Sequence, residues 1–126
     1  MDLAGLGTQI VECPRVRKLI DRHGESFLTQ VYTERELIYC RDRTHSTEYY
    51  AALWAAKEAV FRCLGTKWRR GVSWLDVEIV CDTAVEPRAV VSGPTKELLE
   101  SRGVVAILIT FAYTRMYATA TAVAVK

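Results

Sequence analysis

Residues 46–65 read STEYYAALWAAKEAVFRCLG, and this stretch decides the fold. It is rich in Ala and Leu and offers Ser46 or Thr47 as a cap for a helix from Glu48 to about Leu64. It stops at Gly65, where a left-handed C-cap favours a residue without a Cβ. Tyr49, Tyr50, Leu53, Trp54, Val60, Phe61 and Leu64 cover nearly the whole circumference, so the pattern predicts a central helix rather than a surface one. Inside it stand Lys57 and Glu58. Burying a charge without a partner costs several kcal/mol, so each needs one. The pair is either a narrow solvated face or structural ion pair, or a carboxylate for a metal beside a cation for a phosphate.

Outward from this helix the elements follow from local signals. Upstream, Leu3 to Glu12 reads as a strand entered through Gly5 and Gly7, with Thr8, Ile10 and Val11 favouring an extended backbone. Pro14 opens a short amphipathic helix through Val16, Leu19 and Ile20 that Gly24 closes; its opposite face carries Arg15, Lys18 and Arg22. A helical piece at Glu25 to Val31 follows, and Thr33 with Glu36 forms a capping box for a helix to about Cys40. Downstream of a basic loop, 66–71, strands are expected at Leu75 to Val80 and Arg88 to Ser92, then a helix from Gly93 to about Arg102. Val104 to Phe111 and Tyr117 to Val125 read as a hairpin joined at 112–116. The expectation is one α+β domain, 1–126, with helices packed on a small antiparallel sheet around one long central helix.

Composition narrows the function. Of 126 residues half are apolar and a quarter charged, which excludes a disordered chain, collagen and a coiled coil. A net charge of +2 is too small to indicate nucleic-acid binding by charge alone. No apolar run reaches the ~18 residues of a membrane span, and no secretory or transit segment is read at the start, so a soluble, cytoplasmic protein is expected. The four cysteines form no C-x-x-C pair and read as reduced, mostly buried thiols rather than zinc ligands. The sequence also lacks H-E-x-x-H, G-x-S-x-G, the P-loop and a complete G-x-G-x-x-G. Arg62, Lys67, Arg69 and Arg70 lie near the central helix's end and supply positive charge for an anionic ligand. The stripe Arg15, Lys18, Arg22 is either a solvated face or a docking surface for an acidic protein.

Two segments with fixed spacing carry a resemblance. Gly5-Leu6-Gly7-Thr8-Gln9-Ile10-Val11-Glu12 resembles the opening G-[IL]-G-T-D-I-V-E of the holo-acyl-carrier-protein synthases, the small phosphopantetheinyl transferases. Ala55-Ala56-Lys57-Glu58-Ala59-Val60 with Leu64-Gly65-Thr66 resembles their F-A-A-K-E-A…L-G-T helix. Ser73 to Ile79 and Val91-Ser92-Gly93 are similar to later family blocks in the same order. The resemblance implies transfer of the 4′-phosphopantetheine arm from coenzyme A to a serine of apo-acyl carrier protein, with Mg²⁺ neutralising the pyrophosphate. On this match Glu58 is the metal carboxylate and Lys57 a phosphate contact or proton-transfer residue. Gly65 and Thr66 run along the coenzyme, and Arg15 engages the acidic carrier. The resemblance further implies a homotrimer with coenzyme A between subunits.

Three positions depart from the family pattern. Gln9 stands where the family has its metal-binding Asp, Leu53 where it has Arg, and Ala112-Tyr113 where it has Ser-His. Losing a full charge beside a divalent cation forfeits about 4 kcal/mol of gross attraction at 4 Å and an effective dielectric of 20. Two functions follow. In the first, an active transferase has a rebuilt site, with Arg62, Lys67, Arg69 and Arg70 replacing the missing Arg and Tyr113 replacing His. In the second, a catalytically degenerate member docks an acyl carrier protein or a nucleotide-like ligand.

Overall fold

A computed structural model describes residues 2–65, 73–81 and 86–126. The first strand, β1 (Leu3–Glu12), runs directly into α1 (Cys13–His23), followed by α2 (Glu25–Val31), α3 (Glu34–Arg41) and α4 (Ser46–Cys63). The remainder is β2 (Val77–Val80), β3 (Arg88–Val91), α5 (Gly93–Ser101), β4 (Ala106–Tyr113) and β5 (Tyr117–Val125). All strand pairings are antiparallel, in the order β1-β5-β4-β3-β2, so the first and last strands of the chain are neighbours. The α+β architecture is the expected one.

The central helix is where the Ala-rich pattern put it, with every residue from Tyr50 to Lys57 buried. It lies on the sheet because β5 alternates Ala with larger residues. Ala118, Ala120, Ala122 and Ala124 are all buried on one face, and their small side chains let the helix backbone come close. Gly65 does end the helix in a left-handed conformation, φ 66°, its N–H donating to the Arg62 carbonyl at 3.0 Å. The Thr33–Glu36 capping box forms, with both reciprocal bonds present.

Three local expectations need correction. Neither Ser46 nor Thr47 caps α4: the helix starts at Ser46, His45 holds the cap position, and no side-chain cap bond is made. Leu75 is not strand, because Ser73 caps a single 3-10 turn over Trp74–Asp76 and the strand begins only at Val77. The final hairpin is tighter than read. Ala112 and Tyr113 remain paired to Thr119 and Ala118, which leaves 114–116 as the connection.

Candidate functional site

Adjacent helix residues point about 100° apart, and α4 uses that angle to send Lys57 and Glu58 to different surroundings. Lys57 turns towards α3 and β2, where it is fully buried. Its Nζ lies 2.7 Å from Glu36 Oε1 and donates to the carbonyls of Val77 at 2.6 Å and Trp74 at 3.1 Å, using all three ammonium protons. Glu36 is equally buried. Its Oε1 also accepts the Thr33 N–H and its Oε2 the Ile79 N–H, each at 2.8 Å. Burial pushes the Lys57 pKa down and the Glu36 carboxyl up, and each partner's charge opposes the other's shift. This lysine therefore pins α3, α4, β2 and the 3-10 turn together. The ion pair that the sequence left open for Lys57 is present, with Glu36 as its partner, whereas Glu58 takes no part in it.

Glu58 faces β1 and is half-buried. The strand comes close enough to meet it because of two glycines. A Cβ on Gly5 would fall inside the Cys63 carbonyl, and one on Gly7 inside the Ala59 carbonyl and the Cys63 amide. The G-x-G of the opening motif is thus a seam where strand backbone touches helix backbone. Gln9 follows on the same face of β1, pairing across to Ala120. Its Nε2 donates to Glu58 Oε2, while its Oε1 accepts the Ile10 N–H at 3.1 Å. Arg62, one helical turn beyond Glu58, is exposed beside the same seam.

These groups are a poor set for a divalent ion. Mg²⁺ keeps several waters and is held by one or two carboxylates with substrate phosphates; the seam offers one carboxylate, and the amide beside it presents N–H to Glu58 while its oxygen is taken by the Ile10 N–H. Among the described residues no three of His, Cys, Asp and Glu converge where an ion could be held.

At the N-terminal end of α4 a second group assembles. The Tyr113 ring lies 5.1 Å from that of Tyr49, and the Arg43 guanidinium sits between Tyr49 at 4.7 Å and Tyr39 at 4.0 Å. Arg43 Nε is held by the Tyr39 carbonyl at 2.8 Å. Beside it opens a cavity of about 310 Å³ lined by His45, Glu48, Tyr113, Thr114 and Arg115. A side-chain hydrogen bond with Tyr49, and after it burial, raises the Tyr113 pKa. Leu53 is fully buried, so that position reaches no ligand. Arg43 was not legible as a site residue, since a lone arginine in a short loop has no pattern. Glu36 was legible only as a helix cap.

Arg15, Lys18 and Arg22 are all exposed on α1, and the Arg15 guanidinium lies 6.0 Å from the Trp54 ring centre. Thr66, Lys67, Arg69 and Arg70 lie outside the described residues.

An antiparallel sheet packed on one internal helix, with a glycine seam that leaves one half-buried carboxylate at the rim, defines the class as an α+β unit. The family model described as the 4′-phosphopantetheinyl transferase superfamily matches residues 5–122, and the chain belongs to that family. It is 40% identical to the holo-[acyl-carrier-protein] synthase of Gloeobacter violaceus over 92% of this chain and 88% of the relative. The crystal structure of holo-[acyl-carrier-protein] synthase from Neisseria meningitidis is similar at a TM-score of 0.88 and 27% identity, over 99% of this chain and 100% of that one. The Chronobacterium ammoniagenes ACPS-CoA complex is similar at a TM-score of 0.82 and 26% identity, over 95% of each chain.

Proposed function

We propose that this chain transfers the 4′-phosphopantetheine arm of coenzyme A to a serine of an apo-acyl carrier protein. The observation that carries the proposal is the seam of β1 against α4. Two motif segments far apart in sequence meet there, and they leave the Glu58 carboxylate half-exposed with one oxygen engaged by Gln9. The serine oxygen bonds to the β-phosphorus, the pyrophosphate P–O bond breaks, and adenosine 3′,5′-bisphosphate leaves with the electron pair. Glu58 accepts the serine proton through its other oxygen. Arg62 supplies positive charge for the phosphates, and Lys67, Arg69 and Arg70 are assigned the same role by residue type alone; Gly65 and Thr66 are assigned to the coenzyme by the family motif. Lys57 is a positioning residue that fixes α4. Tyr113, backed by Tyr49 and Arg43, offers a ring to the coenzyme's base. Mg²⁺, which the family resemblance implies, has little to hold it here.

Arg15, Lys18 and Arg22 dock the acidic carrier, supported by their common exposed face. A homotrimer is supported by the sheet's outer face, where Leu6, Val123 and Leu108 form one cross-strand row and Thr8, Thr121 and Thr110 the next. Leu6 is 68% and Leu108 53% exposed, and such a patch suits a partner surface. The catalytic unit is the whole chain, 1–126, supported by the pairing of its first and last strands. We place it in the cytoplasm, where four free thiols persist. Among the described residues no helix is long and apolar enough to cross a membrane.

A second reading, a carrier- or nucleotide-binding module without catalysis, is favoured by one observation: buried Leu53 supplies no donor. Incubating the protein with coenzyme A and an apo-carrier and reading the carrier's intact mass separates the two. The phosphopantetheine increment is expected. An unchanged mass with coenzyme A bound supports the module instead.

A further inference from the structure

We infer that Gln9 closes the Glu58 carboxylate to divalent cations, so that this chain handles an anionic co-substrate without a resident metal. The co-substrate rests on the transferase reading above; the closed site rests on geometry alone. The amide has one orientation that works. Its oxygen is taken by the Ile10 N–H and its nitrogen by Glu58 Oε2. Turning the amide over would set oxygen against carboxylate oxygen and N–H against N–H, losing both bonds, so the carbonyl cannot be lent to a cation without cost. A carboxylate at position 9 would instead face Glu58 with no proton between them, and a cation would relieve that repulsion. Gln9 supplies the positive end of a dipole where the cation would sit. It also leaves the Gln9–Glu58 pair with one negative charge instead of two, while Arg62, exposed one turn along α4, has its Cβ beside the same seam. A single carboxylate paired to an amide needs no cation to relieve repulsion, so the seam can stand without a metal.

The test uses Mn²⁺ as the probe, with free ion read by electron paramagnetic resonance, on the parent chain and on Gln9→Asp. The parent is expected to bind none up to about 1 mM, and Gln9→Asp to bind at least roughly tenfold more tightly. Parent binding as tight as that of Gln9→Asp overturns the inference. If circular dichroism shows Gln9→Asp unfolded, Gln9→Glu takes its place, and Mn²⁺ binding by the parent remains an overturning result. Calorimetry of coenzyme A with the parent in Mg²⁺ and in EDTA gives the second readout. Affinities within about twofold support the inference, and a loss of roughly tenfold or more in EDTA overturns it. Absence of coenzyme A binding in both buffers overturns the transferase reading, and the Mn²⁺ titration still decides the closed site.

Discussion

Lys57 and Glu58 are neighbours in the chain, yet their partners make opposite uses of charge. The Lys57–Glu36 pair is sealed: both side chains are fully buried and every ammonium proton has an acceptor. The Gln9–Glu58 pair is half-exposed, couples a charge to a neutral amide, and keeps one carboxylate oxygen out of the bond. Satisfying every donor and acceptor makes a rigid joint that has nothing left to offer a ligand. Leaving one acceptor at the rim makes a place where chemistry can occur. The rigid joint serves the open one, because α4 is fixed by Lys57 at the residue before Glu58.

The largest effect is expected from breaking the sealed pair. Lys57→Met strands the Glu36 carboxylate and two carbonyls, and should cost about 3–5 kcal/mol in a denaturant titration. A loss below about 1 kcal/mol would mean that the joint is not what holds α3 and β2 to the helix. Glu58→Ala should show the reverse profile. Its transfer rate should fall by about 10²–10⁴, the range for losing a general base, with a nearly unchanged unfolding midpoint. Equal damage to stability would erase the contrast between the two pairs.

Gly7→Ala sharpens the comparison by opening the seam without replacing a residue of either pair. The added methyl meets the Ala59 carbonyl and the Cys63 amide, so about 1–3 kcal/mol of overpacking is expected, together with loss of transfer as Gln9 is drawn from Glu58. A stable Gly7→Ala variant with full activity would show that the strand need not lie so close. The smallest change in stability belongs to Arg15→Glu, an exposed residue of α1 that belongs to neither pair. Carrier affinity measured by calorimetry should drop on the order of tenfold and fall further with salt, as exposed charges are screened beyond about 8–10 Å. Its thermal midpoint should not move. Salt-independent binding would make the α1 stripe only a solvated surface.

Much of this was open to reading from residues alone. The Ala- and Leu-rich run with its terminal Gly65 specified the central helix, Thr33 and Glu36 specified a cap, and the β-rich run Tyr117 to Val125 specified β5, since propensity and capping depend on residues a few positions apart. The same local logic missed the 3-10 turn, where Ser73 diverts the chain before the β-prone residues take hold. It found that Lys57 needed a partner. It could not find which, because Glu36 already had a local role as a cap, and only packing brought the two carboxylate oxygens to face both α4 and β2. Gln9 and Glu58, separated by 49 positions, became one site through a seam that two absent Cβ atoms allow. The sequence determined the elements and the residue types in them. Tertiary structure decided which charge was sealed and which was left at the rim, because partner choice depends on distance and burial, and a linear order contains neither.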